Sequence, residues 1–185
     1  MENALIIVDY SYDFVADDGK LTCGKPGQSI EQTIARKFQQ YIAAERPVFI
    51  MMDRHHDNDP YHPETKLFPP HNIVGTPGRE LYGKVNDVYN DLQHHPLVTW
   101  IDKTRYSAFA GTNLHQLLAE RHIQAIELTG VCTDICVLHT AVDGYNLGYQ
   151  MTVDSDAVQS FNAEGHRFAL SHFKNTLGMT VHGES

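Results

Sequence analysis

The run Gly130-Val131-Cys132-Thr133-Asp134-Ile135-Cys136 puts a thiol where a buried strand should turn into a helix. The strand is Ala125 to Leu128 with Thr129, and Val137, Leu138, Ala141, Val142 and Tyr145 recur at helical spacing behind it. Thr133 or Asp134 stands where it can cap the first turn. Cys136 would then lie among unpaired backbone N–H groups at the positive end of the helix dipole. That setting lowers a thiol's pKa and favours a nucleophilic thiolate. A lone cysteine is more often a small buried hydrophobe, so other groups must single it out.

Three such groups follow apolar runs. Asp9 ends Ala4–Asp9, Asp53 ends Pro47–Asp53, and Lys103 comes just after Leu97–Ile101. In an open parallel sheet, ligands bind outside the carboxyl ends of the strands. Any one of these residues alone would read as a helix cap or a solvated loop charge. Four at corresponding positions read as a site. A thiol attacking a carbonyl needs a base and a neighbouring cation. Asp9 is the candidate base, provided partial burial raises its pKa, and Lys103 can hold Asp9 and Cys136 together. Backbone N–H groups of the turn can form an oxyanion hole. The chemistry is acyl transfer through a thioester, most simply hydrolysis of an amide.

A second constellation begins at Asp53-x-His55 and continues through His56, His62, Glu64 and His71. Residues two apart at an extended strand end point to the same side, so Asp53 and His55 can converge on one ion. Glu64 and His71 belong to the Pro- and His-rich segment Arg54 to Pro77, a length that in compact domains is usually functional or disordered. Carboxylates and imidazoles without thiolates suit zinc, manganese or iron. A solvated His-rich loop is the plainer alternative.

These groups need a scaffold. Strand-like runs at Ala4–Asp9, Pro47–Asp53, Leu97–Ile101, Ala125–Leu128, Gln150–Val153 and Met179–Val181 alternate with helical patterns. Ser29-x-x-Gln32 reads as a capping box ahead of Ile30, Ile34, Phe38 and Ile42 on one face. Leu114, Leu117 and Leu118 mark a helix opening at Thr112 or Asn113. The helix after Cys136 is the third, and Asn162 opens a fourth with Phe168, Ala169 and Phe173. The alternation predicts an α/β fold: one doubly wound, mostly parallel six-stranded sheet with helices on both faces, as a single domain over 1–185. The stretch from Gly178 to Ser185 reads as either an edge strand or a tail.

Composition narrows the partners. With 185 residues and 20% charged side chains the chain can bury a sizeable core. A formal charge of -9 argues against nucleic acid or an anionic membrane as partner. The apolar run at the N-terminus is too short for a signal peptide or a span. Three cysteines without regular spacing make no disulfide framework, which points to a cytoplasmic protein with reduced thiols. No Gly-x-Gly-x-x-Gly loop follows the first strand, so dinucleotide binding is disfavoured.

Several blocks together resemble one family. They are Val8-Asp9 with Asp13-Phe14-Val15, Asp53-Arg54-His55, Phe68-Pro69-Pro70-His71 with Gly75-Thr76-Pro77-Gly78, and Lys103 with Tyr106-Ser107-Ala108-Phe109. The last is Gly130-Val131 through Thr133-Asp134-x-Cys136-Val137 with Thr140-Ala141. In this order they resemble the nicotinamidases, or pyrazinamidases, of the isochorismatase-like cysteine hydrolase superfamily, over roughly the first three-quarters of the chain. The resemblance implies Cys136 as nucleophile, Asp9 as base and Lys103 as third catalytic residue. It implies one divalent metal, zinc foremost and manganese or iron otherwise, on Asp53, His55 and His71. Glu64 is the choice for a fourth ligand, with His62 as competitor. A cis peptide at Val131–Cys132 and an oxyanion hole from the N–H groups of Cys132 and Cys136 also follow from the resemblance.

Phe14, Phe68 and Tyr106 flank the catalytic blocks and could wall a slot for a flat pyridine ring, though each aromatic alone is more often core. The implied activity is hydrolysis of nicotinamide, or its analogue pyrazinamide, to the acid and ammonia, in NAD salvage and in a homo-oligomer. A metal-free carboxamide hydrolase is the alternative, and a redox-sensing module the more distant one. Relatives more often carry a small or aliphatic residue where this chain has Cys132. Cys132 could therefore be the reactive thiol, or pair with Cys136 as a redox switch, and Cys23 has no evident partner.

Overall fold

Consecutive residues along each central strand send their side chains to opposite faces of the sheet, and the core divides accordingly. A computed structural model describes residues 3–183, so the outer limits of the expected 1–185 domain lie outside the described residues. Strand β1 (Asn3–Val8) sends Ala4, Ile6 and Val8 into one cluster and Leu5 and Ile7 into the other. Strand β2 (Val48–Asp53) does the same with Phe49 and Met51 against Val48, Ile50 and Met52. Both strands are buried on both faces, as expected of the centre of a parallel sheet.

The other strands are β3 (Val98–Lys103), β4 (Ala125–Val131), β5 (Gln150–Gln159) and β6 (Thr180–His182). All pairings are parallel, in the order β3-β2-β1-β4-β5-β6. The order reverses beside β1, which pairs with β2 on one side and β4 on the other. That reversal opens the crevice at the carboxyl ends of the strands in which such sheets bind ligands.

Seven helices accompany the sheet among the described residues: α1 (Tyr12–Val15), α2 (Gly24–Ser29), α3 (Glu31–Ala43), α4 (Gly83–Leu92), α5 (Leu114–Glu120), α6 (Leu138–Asn146) and α7 (Ala163–Asn175). Ile34 and Phe38 of α3 and Val85 and Val88 of α4 fill one core. Leu114 and Leu118 of α5, Ala141 of α6 and Phe173 of α7 fill the other. None of the helices among the described residues is long and apolar enough to cross a membrane.

The ends of the helices and strands follow local signals at some points and depart from them at others. Asn162 caps α7, its side chain accepting from Glu164 and Gly165 N–H. The expected capping box at Ser29 does not form. Ser29 ends α2, its hydroxyl donates to Pro26 O at 2.7 Å, and α3 begins at Glu31. Helix α4 was not anticipated, although Val85, Val88, Tyr89 and Leu92 follow the helical period. Strand β5 runs past the expected Val153 to Gln159, because polar Asp154, Ser155 and Asp156 interrupt its apolar run. Strand β3 likewise reaches Lys103, two residues beyond Ile101.

One glycine fixes how closely β4 approaches β1. Gly130 pairs with Val8 and takes φ 112°, and a Cβ there would lie 1.9 Å from Val8 O. Gly130→Ala should therefore cost about 3 kcal/mol or more, from strain and overpacking together. Urea denaturation should show it, and a variant within half a kcal/mol of the parent would contradict this reading.

Candidate active site

The carboxyl ends of β1, β2 and β3 and the turn after β4 converge on one buried ammonium. Asp9 leaves β1 with φ 51°, its N–H still donating to Met51 O at 2.9 Å. Its Oδ1 accepts the Asp53 N–H at 2.7 Å, and its Oδ2 lies 2.6 Å from Lys103 Nζ. Lys103, opposite Asp53 in the β2–β3 register, also donates to Arg105 O at 3.0 Å. The same Nζ is 3.7 Å from Asp53 Oδ1 and 3.8 Å from Cys136 Sγ. All four side chains are buried.

Burial sets the protonation pattern. It raises the Asp9 carboxyl to about 6, against the opposing pull of Lys103. Burial opposes the charge on Lys103, but Asp9, Cys136 and Asp53 more than restore it, so the ammonium stays protonated. Burial pushes the Cys136 thiol well above its ordinary range, with Lys103 pulling the other way. The expected helix-terminal lowering is thus overridden by desolvation. The arrangement is a neutral thiol and a carboxyl group gathered around one ammonium, the carboxyl's pKa suiting it to accept a proton near neutrality.

The turn that carries Cys136 differs from a capped helix start. The Val131–Cys132 peptide is cis, and Thr133–Val137 forms one π-helical turn before α6. Cys132 O accepts from both Ile135 and Val137 N–H. Neither Thr133 nor Asp134 caps it: Thr133 Oγ pairs with His166 Nδ1 at 2.8 Å, and Asp134 packs against Gly165. Thr140 ties the turn to the loop after β3, donating to Cys136 O at 2.7 Å and accepting from Ala108 N–H at 2.9 Å.

Beside this cluster, Asp53, His55, Glu64 and His71 are buried with one donor atom each, all within 4.8 Å of one another. His55 Nε2 is 2.6 Å from Asp53 Oδ2, and His71 Nε2 is 3.5 Å from both Asp53 Oδ2 and Glu64 Oε2. Asp53 Oδ1 and His71 Nε2 are buried without a hydrogen-bond partner. Burial disfavours charge on His71, yet Asp53 and Glu64 raise it to about 10. Two carboxylates, two imidazoles and orphaned atoms fit a divalent ion. His62, the competitor, uses Nδ1 to accept Glu64 N–H at 3.2 Å, and its ring centroid lies 4.1 Å from that of His55 at a tilt of 46°. It lies outside the four-donor set.

Residues that spacing could not nominate hold these ligands in place. Asn72 O accepts His55 N–H at 3.1 Å, while Asn72 N–H donates to Asp13 Oδ2 at 2.7 Å and Ser11 Oγ donates to Asn72 Oδ1 at 2.8 Å. Gly78 is glycine because a Cβ there would lie 2.2 Å from Asp13 Oδ2. Arg79 Nε donates to Asp53 O at 3.0 Å.

Phe14, Phe68 and Tyr106, the expected slot residues, line one small apolar pocket with Cys136, Cys132 and Glu64. Leu21, Ile135 and Phe161 complete it and were not foreseen; Phe161 follows the part of β5 that the sequence reading left out. A larger open cleft near His115, His122 and Tyr149 lies at the amino end of β5, away from these groups. Cys23 does have a partner: its sulfur is 3.1 Å from that of Cys132.

The geometry has close counterparts. A protein from Bacillus subtilis strain 168, named uncharacterized isochorismatase family protein PncA, is 55% identical over 181 residues, covering 98% of this chain and 99% of its own. The crystal structure of nicotinamidase/pyrazinamidase PncA from Bacillus subtilis superposes with a TM-score of 0.97 at 52% identity, over 99% of this chain and 100% of that one. Pyrazinamidase of Pyrococcus horikoshii in complex with zinc has a TM-score of 0.85 at 26% identity, each chain covered to 98%. The isochorismatase domain model matches residues 3–185, and the chain belongs to the isochorismatase domain family.

Proposed function

We propose that this protein is a nicotinamidase, a single hydrolase domain that cleaves the carboxamide of nicotinamide through a thioester on Cys136. The observation that carries the reading is the convergence of Asp9, Lys103 and Cys136 with a four-donor metal cradle across one small aromatic pocket. The likeness to the Bacillus subtilis nicotinamidase/pyrazinamidase supports the substrate, and the zinc-bound Pyrococcus horikoshii pyrazinamidase supports a metal.

Phe14, Phe68 and Tyr106 hold the flat ring. Asp9 takes the Cys136 proton as sulfur attacks the carboxamide carbon. The backbone N–H groups of Cys132 and Cys136 face the developing oxyanion. Asp9 returns the proton to departing ammonia, and water then attacks the thioester to release nicotinic acid. Lys103 stays charged throughout and offsets the negative charge that moves between sulfur and Asp9. Asp53, His55, Glu64 and His71 would hold a divalent ion, zinc foremost and manganese or iron otherwise, which when bound supplies Lewis-acid charge at the pocket wall. We place the reaction in cytoplasmic NAD salvage and the enzyme in a homo-oligomer, as the family resemblance implies; the three free thiols suit a reducing compartment.

Purified, metal-replete protein should release ammonia from nicotinamide, and Cys136→Ala should lower kcat by at least about 1,000-fold. Asp9 accepts a proton only as carboxylate, so kcat/KM should fall as pH drops through about 6. A folded, metal-loaded enzyme inert toward nicotinamide would refute the substrate, and a flat profile below pH 6 would remove Asp9 as base. Metal analysis after dialysis should show Glu64→Ala binding at least about tenfold more weakly while His62→Ala keeps its ion within a few-fold. The reverse ranking would make His62 the fourth ligand.

A further inference from the structure

Cys23 and Cys132 are 109 residues apart in the chain, yet their sulfurs lie 3.1 Å apart and both are buried. The proposed reaction uses neither sulfur. Cys23 is wedged in the segment before α2: its N–H donates to Phe14 O at 2.7 Å, and a Cβ on Gly27 would lie only 3.1 Å from its Cβ. Cys132 follows β4 and lines the pocket beside Cys136 and Phe14. Sequence spacing makes Cys132 and Cys136 the obvious pair, but the Cys136 sulfur is held toward Lys103 and Asp9.

We propose that Cys23 and Cys132 form a reversible disulfide under peroxide and that this bond slows turnover. A disulfide needs the sulfurs at about 2.05 Å, so the pair must close by roughly 1 Å. The Cys132 sulfur attacks one oxygen of hydrogen peroxide, the O–O bond breaks, and a sulfenic acid and one water result. The Cys23 sulfur then attacks the sulfenic sulfur, the S–O bond breaks, and the oxygen leaves as a second water with the Cys23 proton. Two thiols lose two electrons in all, and one peroxide becomes two waters.

The hydrogen bond to Cys23 and burial both raise the Cys132 thiol above its ordinary range, which keeps the resting pair reduced and its oxidation slow. Both side chains are packed, Cys23 against Gly27 and Cys132 in the pocket wall. Closure therefore combines side-chain rotation with a small backbone shift at Cys132 that carries along the N–H proposed to face the oxyanion. The bond itself is independent of the nicotinamidase reading; only its effect on turnover rests on it.

The test is peroxide titration of the purified wild type, with denatured thiol counts, peptide mass mapping without reductant, and ammonia release before and after dithiothreitol. The three free thiols should fall to one, with a cross-linked Cys23–Cys132 peptide. The kcat should drop about tenfold, less than the hundredfold or more that follows outright loss of an oxyanion donor. Dithiothreitol should restore both, and Cys23→Ser should start near wild-type activity and form no cross-link. A Cys132–Cys136 cross-link, a sulfinic acid with no cross-link, or a cross-linked enzyme at full activity would each overturn the proposal. Should the reduced enzyme release no ammonia, the function reading fails while the thiol count and mapping still decide whether the bond forms.

Discussion

A charged lysine with no exposed side-chain surface is the constraint on which the site depends. Lys103 Nζ stands 2.6 Å from Asp9 and 3.7 Å from Asp53, with Arg105 O completing its contacts. Burying an unpaired ammonium costs several kcal/mol, and breaking a buried pair by removing one partner typically costs about 3–5 kcal/mol. The ends of β1, β2 and β3 are therefore bound to one charge, and the Cys136 sulfur is the neutral group held beside it. The same burial that makes the ammonium dependent on its carboxylates raises Asp9 to about 6. One desolvated cluster thus fixes the backbone and sets the proton affinity of Asp9.

Asp53 joins this cluster to the metal cradle. It lies near Lys103 through Oδ1 and near His55 and His71 through Oδ2, and its N–H is held by Asp9. Burial opposes its charge, but Lys103, His55 and His71 keep it ionised. The loop that brings Glu64 and His71 is long, yet it is pinned: Asn72 and Val74 bond His55 through the backbone, and Asp13 and Ser11 hold Asn72. The four candidate donors therefore rest on packed, hydrogen-bonded neighbours, and such outer partners help set the geometry of a metal site.

Much of this was legible in the chain because parallel strands are apolar runs and their carboxyl ends are where polar residues reappear. Asp9, Asp53 and Lys103 stand out for that reason, and the Asp53-x-His55 period is visible without any fold. Glu64 over His62 follows from the resemblance alone, since both lie in the same His-rich segment and no spacing separates them. The misses have physical causes. A polar stretch hid the second half of β5 and with it Phe161; a π-helical turn took the place of a capped helix start; burial outweighed the helix terminus at Cys136. Contacts across large sequence separations, such as Asp13 with Asn72 or Cys23 with Cys132, leave no local signature.

The covalent intermediate is the most direct test of the account. Protein turning over nicotinamide is quenched in acid, digested, and its peptides weighed. The account predicts a nicotinoyl group on the peptide sulfur of Cys136, present only with substrate and discharged by hydroxylamine. Turnover with no acylated cysteine, or with the acyl group on Cys132, would contradict it.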